Sequence, residues 1–197
     1  MDLTLKLKRK KPRHSLVARV LHWLYAPSVL TCIWSGFYIN RPAKIYGFRN
    51  MNSAQKAHFI AQFTLIFAFL ARVYYAFQKK NYKEILPNRQ TIQNLPRFVR
   101  YELFLNSEKP QFPKYNPGQK LLFTGFVLLL PLQILTGLAL YFQDSWQKTT
   151  KIAKGLNYLR QLHFLVALGN AILVAGHLYF VFTQGFKTLK SIFTGYK

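Results

Sequence analysis

The chain has 197 residues, a formal charge of +23 and a mean hydropathy of +0.04, enough for one domain, 1–197, in which a near-zero average hides long apolar blocks joined by very basic connectors. A nucleic-acid-binding module, which the charge alone invites, has no need of four such blocks, and nucleic acid is set aside as a partner. Cys32, the only cysteine, excludes an internal disulfide, a thiolate-held iron–sulfur cluster and a CxxCH haem attachment.

Four windows match the ~20 apolar residues that cross a ~30 Å hydrocarbon core: about Leu16 to Ile39, Ala54 to Phe77, Gln119 to Phe142 and Gln161 to Gln184. They predict an all-α, integral membrane four-helix bundle. The first opens after Pro12 and Ser15 and contains Pro27, where a bend is expected. Its basic lead looks like a signal peptide, but the apolar run is too long and lacks a small-x-small cleavage site, so it reads as a retained anchor. Asn52-Ser53 offers an N-cap for the second span, which stops at Gln78-Lys79-Lys80 and forms an antiparallel hairpin with the first. The connector from Gln78 to Gly118 holds an amphipathic piece, Leu95 to Leu105, that suits either a helix on the inner membrane surface or a loop with one helical turn. The third span has Gly125, Pro131 and Gly137 but no histidine, and is expected to supply packing, or packing together with part of a ligand pocket, without ligating iron.

Lys and Arg near span ends stay on the cytoplasmic side. The tail from Lys6 to Arg13, the second connector and the last tail carry eighteen, against eight in the first and third connectors. Both termini are therefore expected in the cytoplasm. Arg41, Lys44, Arg49, Lys148, Lys151 and Lys154 leave the outer face basic as well, a candidate docking surface.

His163 and His177 lie fourteen residues apart in the fourth span; fourteen helical residues rise ~21 Å and end ~40° from the starting direction. One helix face can thus carry two stacked ligands. With the amino terminus inside, His22 of the first span meets His177 at the inner level, and His58 of the second meets His163 at the outer level. Intramembrane histidines are costly and mark function. Two b-type haems, each held by one pair, account for all four; bis-histidine ligation leaves no open iron position, which suits electron relay.

Two more residues keep the same interval. Arg72 is fourteen after His58, where an intramembrane cation needs a partner such as an inner haem propionate. Gly36 is fourteen after His22, which admits either room for the outer porphyrin or plain helix packing. Arg19, one turn before His22, suits a propionate or snorkelling to the interface. His14 reads as a solvated tail residue, and Trp23, Trp34, Trp146, Tyr74 and Tyr75 as interfacial aromatics without a redox role.

Arg19-Val20-Leu21-His22-Trp23, Tyr115-Asn116-Pro117-Gly118-Gln119-Lys120 and the His163/His177 pair together carry a family likeness. From about Arg13 to Thr183 the chain resembles the dihaem cytochrome b (gamma) subunits of membrane formate dehydrogenases, and more distantly those of nickel–iron hydrogenases and thiosulfate reductases, all in the bacterial cytochrome b561 superfamily. The resemblance implies the same haem pairing, and a quinone, menaquinone or ubiquinone, beside the inner haem near Asn116, Gly118, Gln119 and His177. It further implies an inner-membrane location and an extracytoplasmic iron–sulfur partner that delivers electrons to the outer haem, which passes them to the inner haem and then to quinone, with protons taken up on the inner side. The short connectors leave the catalytic centre to another chain, and quinone chemistry is this one's only expected reaction. A stand-alone cytochrome b561 that takes electrons from a small reductant, and a haem-free transporter or anchor, are the competing expectations. The substrate of the partner and the direction of electron flow are not written in the sequence.

Overall fold

The computed structural model describes residues 12–145, 155–183 and 185–196. Every regular element among them is helical: α1 Leu16–Asn40, a 3-10 turn Lys44–Tyr46, α2 Met51–Gln78, α3 Tyr82–Ile85, α4 Arg89–Glu102, α5 Pro117–Tyr141, α6 Leu156–Thr183 and α7 Phe186–Thr194. The four long helices α1, α2, α5 and α6 are long and apolar enough to cross a membrane. The expectations placed on Lys6 to Lys11, Trp146, Lys148, Lys151, Lys154 and Gln184 lie outside the described residues.

Local capping sets where the spans begin. Ser15 caps α1, accepting from the Ala18 amide. The second span starts earlier than expected, because Asn50 and not Asn52-Ser53 is its N-cap: the Asn50 side chain accepts from the Ser53 amide while Ser53 closes the box on the Asn50 backbone. Asn88 and Thr91 do the same for α4, which therefore begins six residues before Leu95 and carries Pro96 within it. Asn116 and Gln119 cap α5, with Pro117 at its first position. Pro27 lies inside an unbroken α1.

Packing inside a membrane gains little from the hydrophobic effect and relies on close approach of small residues. In the α1–α2 hairpin, Ser28 and Ser35 of α1 and Ala54, Ala61 and Ala68 of α2 are all buried at seven-residue spacing. The α5–α6 pair interlocks differently. Leu173 fills the notch at Gly125, Leu129 that at Gly169 and Leu122 that at Gly176, with each leucine so close that an added Cβ would stand 2.8, 2.9 and 3.2 Å from it. Between the two hairpins sits an apolar layer of Val29, Leu65 and Leu130. Val29 and Leu65 each follow a histidine, His22 and His58, by seven residues, so this layer separates two levels of the bundle.

The first and last described segments meet at one end. The Arg13 amide donates to the Gly195 carbonyl at 2.7 Å, Arg19 donates to the Phe193 carbonyl, and Trp23 stacks on Phe193 with ring centres 4.6 Å apart. His14 is part of this contact and half-buried, not a solvated tail residue: burial first, then the charges of Lys114, Arg13, His22 and Arg19, hold its pKa down to about 4. At the same end α4 packs Phe98 over Gly118 of α5, while Ile92, Leu103, Phe104 and Leu105 stay exposed.

Candidate functional site

Four histidines meet in two pairs, one on each side of the apolar layer. His22 of α1 faces His177 of α6, and His58 of α2 faces His163 of α6; in both pairs the ring centres are 6.4 Å apart. A metal–imidazole bond of about 2 Å on either side, plus the roughly 1 Å from each ring nitrogen to its ring centre, amounts to about 6 Å. Each pair is thus spaced as two axial ligands are, with no direct hydrogen bond between the rings.

The outer pair opens on a cavity of about 780 Å³ whose walls include His58, His163, Gly36, Gly137, Gln62 and Asn170. Two glycines keep it open. A Cβ at Gly36 would stand 3.6 Å from His58 Cε1, and one at Gly137 only 3.1 Å from His163 Cε1 and 3.4 Å from the Gln62 side-chain oxygen. The hydroxyls just before these glycines hold the rings. Ser35 Oγ lies 2.9 Å from His58 Nδ1 and Thr136 Oγ1 lies 2.9 Å from His163 Nδ1. Both hydroxyls donate to carbonyls of their own helices, Thr31 and Leu132, so each accepts from the imidazole N–H and Nε2 keeps its lone pair. At His163 the Gln133 amide nitrogen lies over the ring, 2.9 Å from Nε2 and 3.1 Å from Nδ1, while the Gln133 oxygen is buried without a partner. Buried, unpartnered side-chain atoms of Gln133, Gln62 and Asn170 around a cavity that two glycines keep open fit a site built for a bound group.

The inner pair is held by packing. His22 Nδ1 is buried with no hydrogen-bond partner, Trp23 stands edge-on to His22 at 5.2 Å and Phe123 lies 6.5 Å from the His177 ring. Arg72 of α2 donates to Asn81 at 3.3 Å and has Tyr115, Tyr75 and Tyr25 as electrostatic neighbours. Burial raises the pKa of the Tyr115 hydroxyl, which keeps it a proton donor. Arg19 is turned to the end of α7, with its Nε buried and unpartnered.

The residues of the expected quinone site are also tied to the fold. The side-chain oxygens of Asn116 and Gln119 are engaged in the α5 capping box at 2.7 and 3.1 Å, which leaves their amide groups as the donors available to a ligand. A Cβ at Gly118 would meet Phe180 at 2.6 Å and Phe98 at 2.7 Å, so Gly118 lies under an aromatic cover. The His177 ring lies 6.5 Å, centre to centre, from that of Phe123, which is on the same helix α5 that Asn116 caps.

Ser35, Gln62, Gln133, Thr136 and Asn170 were not anticipated from the sequence, and Gly137 only as a small residue of the third span. The signal for three of them was there: Gln62 follows His58 by four residues, and Asn170 sits midway between His163 and His177, both same-face spacings. Gly137 repeats, on the third span, the role assigned to Gly36.

The pattern of the prokaryotic cytochrome b561 family matches residues 13–195. Among curated relatives, the chain is similar to the probable Ni/Fe-hydrogenase B-type cytochrome subunit of Bradyrhizobium diazoefficiens, 31% identical over 144 residues that cover 66% of this chain and 58% of the relative. The protein of the same name from Azotobacter vinelandii is 30% identical over 143 residues, 65% of this chain and 60% of its own length. The chain spans about three fifths of the length of these relatives. Their names favour the hydrogenase branch of the resemblance over formate dehydrogenase.

Proposed function

Because the chain belongs to the prokaryotic cytochrome b561 family, a b-type cytochrome of the bacterial inner membrane with several spans, we propose that it is the electron-relaying membrane subunit of a hydrogenase-like respiratory complex. The two imidazole pairs, each with ring centres 6.4 Å apart and stacked along α6, carry the proposal. His22 and His177 hold the inner haem b, His58 and His163 the outer. When bound, a bis-histidine haem supplies one-electron exchange with no open coordination position.

The chain's own residues do the rest. Gly36 and Gly137 clear space for the outer ring, and the Val29–Leu65–Leu130 layer keeps water from the gap between levels. Arg72, a cation within a span, neutralises an inner propionate. A quinone beside the inner level takes two electrons, one at a time, and two protons from the cytoplasmic side, with the Asn116 and Gln119 amides and Tyr115 as donors to its carbonyl. The basic outer face, Arg41, Lys44 and Arg49 in the described part, docks an iron–sulfur subunit of a hydrogenase; the relatives' names favour this partner over a formate dehydrogenase.

The test is a dithionite-minus-oxidised spectrum of the purified chain with its partners, with haem per protein measured, repeated for His22→Ala and His58→Ala. Two b-type haems, one lost in each variant, are expected. A folded preparation without haem overturns the proposal. Haem without a copurifying iron–sulfur protein returns the chain to the stand-alone cytochrome b561 class.

A further inference from the structure

Ser35-Gly36 on α1 and Thr136-Gly137 on α5 are one device used twice. In each, the hydroxyl donates to a carbonyl four residues back, at 2.5 Å for Ser35 and 2.8 Å for Thr136. Its lone pairs then face a histidine on the hairpin partner, 2.9 Å from Nδ1 of His58 and of His163. An acceptor at Nδ1–H fixes the tautomer and makes the ring a stronger electron donor through Nε2. The next residue, glycine, places its bare Cα against Cε1 of the same ring. Ser35 is 0% and Thr136 5% exposed, so water does not compete for these bonds.

The inner pair has no such partners. His22 Nδ1 is buried and unpaired, and among the described residues no hydrogen bond reaches the His177 ring. Arginine is present at both levels, Arg72 and Arg19 at the inner and Arg160 on the wall of the outer cavity beside the amides of Gln62 and Asn170, so the hydrogen bonds to the rings are what tell the two levels apart.

Building on the two-haem proposal, we infer that Ser35 and Thr136 are positioning residues that set the outer haem's reduction potential below that of the inner. Stronger donation from hydrogen-bonded axial imidazoles favours ferric iron. An electron therefore runs downhill from the outer level to the inner one, the outer iron being oxidised as the inner is reduced, with no bond or proton exchanged.

Potentiometric titration of the haem absorption tests this on the complex and on Ser35→Ala, Thr136→Val, Thr136→Ser and His58→Ala. Two transitions are expected. The lower vanishes in His58→Ala, rises in Ser35→Ala and Thr136→Val, and stays at the wild-type position in Thr136→Ser, while the upper does not move. Thr136→Val keeps the branched side-chain shape and carries the test if Ser35→Ala fails to load haem. A lower transition that stays put in a variant retaining both haems overturns the inference, as does loss of the upper transition in His58→Ala. Fewer than two haems in the unmodified complex sinks the two-haem proposal instead.

Discussion

At the residue scale, what a side chain leaves out matters as much as what it supplies. Gly137 is the tightest point of the outer cavity: a single Cβ there already stands 3.1 Å from His163 Cε1 and 3.4 Å from Gln62, and a branched side chain has nowhere to go but into the space before the ring. Gly36 has ordinary clearance, 3.6 Å from His58. Gly137→Leu is therefore expected to lower haem from two to one per chain, with the inner haem kept, whereas Gly36→Ala keeps both. Haem-to-protein ratios decide it, and two haems in Gly137→Leu would show that the outer group does not occupy this cavity. Gly36 was legible in the sequence because it repeats the interval set by His22 on its own helix. Gly137 was legible only as a small residue of the third span, because the residue it clears, His163, lies on another helix, and only packing joins them. Ser35 and Thr136 were hidden for the same reason: a hydroxyl in an apolar span most often bonds its own backbone, and both do, so only the remaining lone pair reveals the histidine.

At the element scale, periodicity read the spans and missed their ends. The histidine interval is a property of one helix and survives in any packing, which is why the pairs could be expected before the bundle was seen. Helix starts depend on which of several polar residues wins the cap; Asn50 wins over Asn52 because Ser53 closes the box with it. The short α7 was not anticipated at all, since its role is tertiary: it lies across the start of α1, held by Gly195 and Phe193 carbonyls. His14 lies in this contact, and burial followed by the charges of Lys114, Arg13, His22 and Arg19 lowers its pKa from 6.5 to about 4. Released from the contact, His14 takes a proton near 6.5; docked, it does so only near 4. Between these values the undocked state binds more protons, so docking is at full strength above pH 6.5 and weakens as pH falls towards 4. Protease cleavage after α7 residues is expected to quicken over that range in the wild type and to change less in His14→Gln. Equal pH profiles would place the sensitivity elsewhere.

At the scale of the whole molecule, the contact between the first and last described segments brings those two segments to one end of the bundle, and the charge count predicts which side of the bilayer that end faces. The described basic residues at that end, from Arg13 through Lys79, Arg97, Arg100 and Lys114 to Lys190, outnumber Arg41, Lys44, Arg49, Lys56 and Arg160 at the other. Lysine and arginine are retained on the cytoplasmic side during insertion, so the His22–His177 level is expected to face the cytoplasm and the His58–His163 level to face outward. Under the proposed function, a partner iron–sulfur protein would then meet the outer level first and a quinone would take up protons on the inside, so that the relay would charge the membrane. Two exposed positions read this out: Ile45, in the turn between α1 and α2, and Glu108, between α4 and α5. In a Cys32→Ser background, an impermeant maleimide added to spheroplasts is expected to label Ile45→Cys at once and Glu108→Cys only after the membrane is opened. The reverse pattern would invert the bundle, put the basic turn of Lys44 in the cytoplasm, and require the electron donor and the quinone to exchange sides.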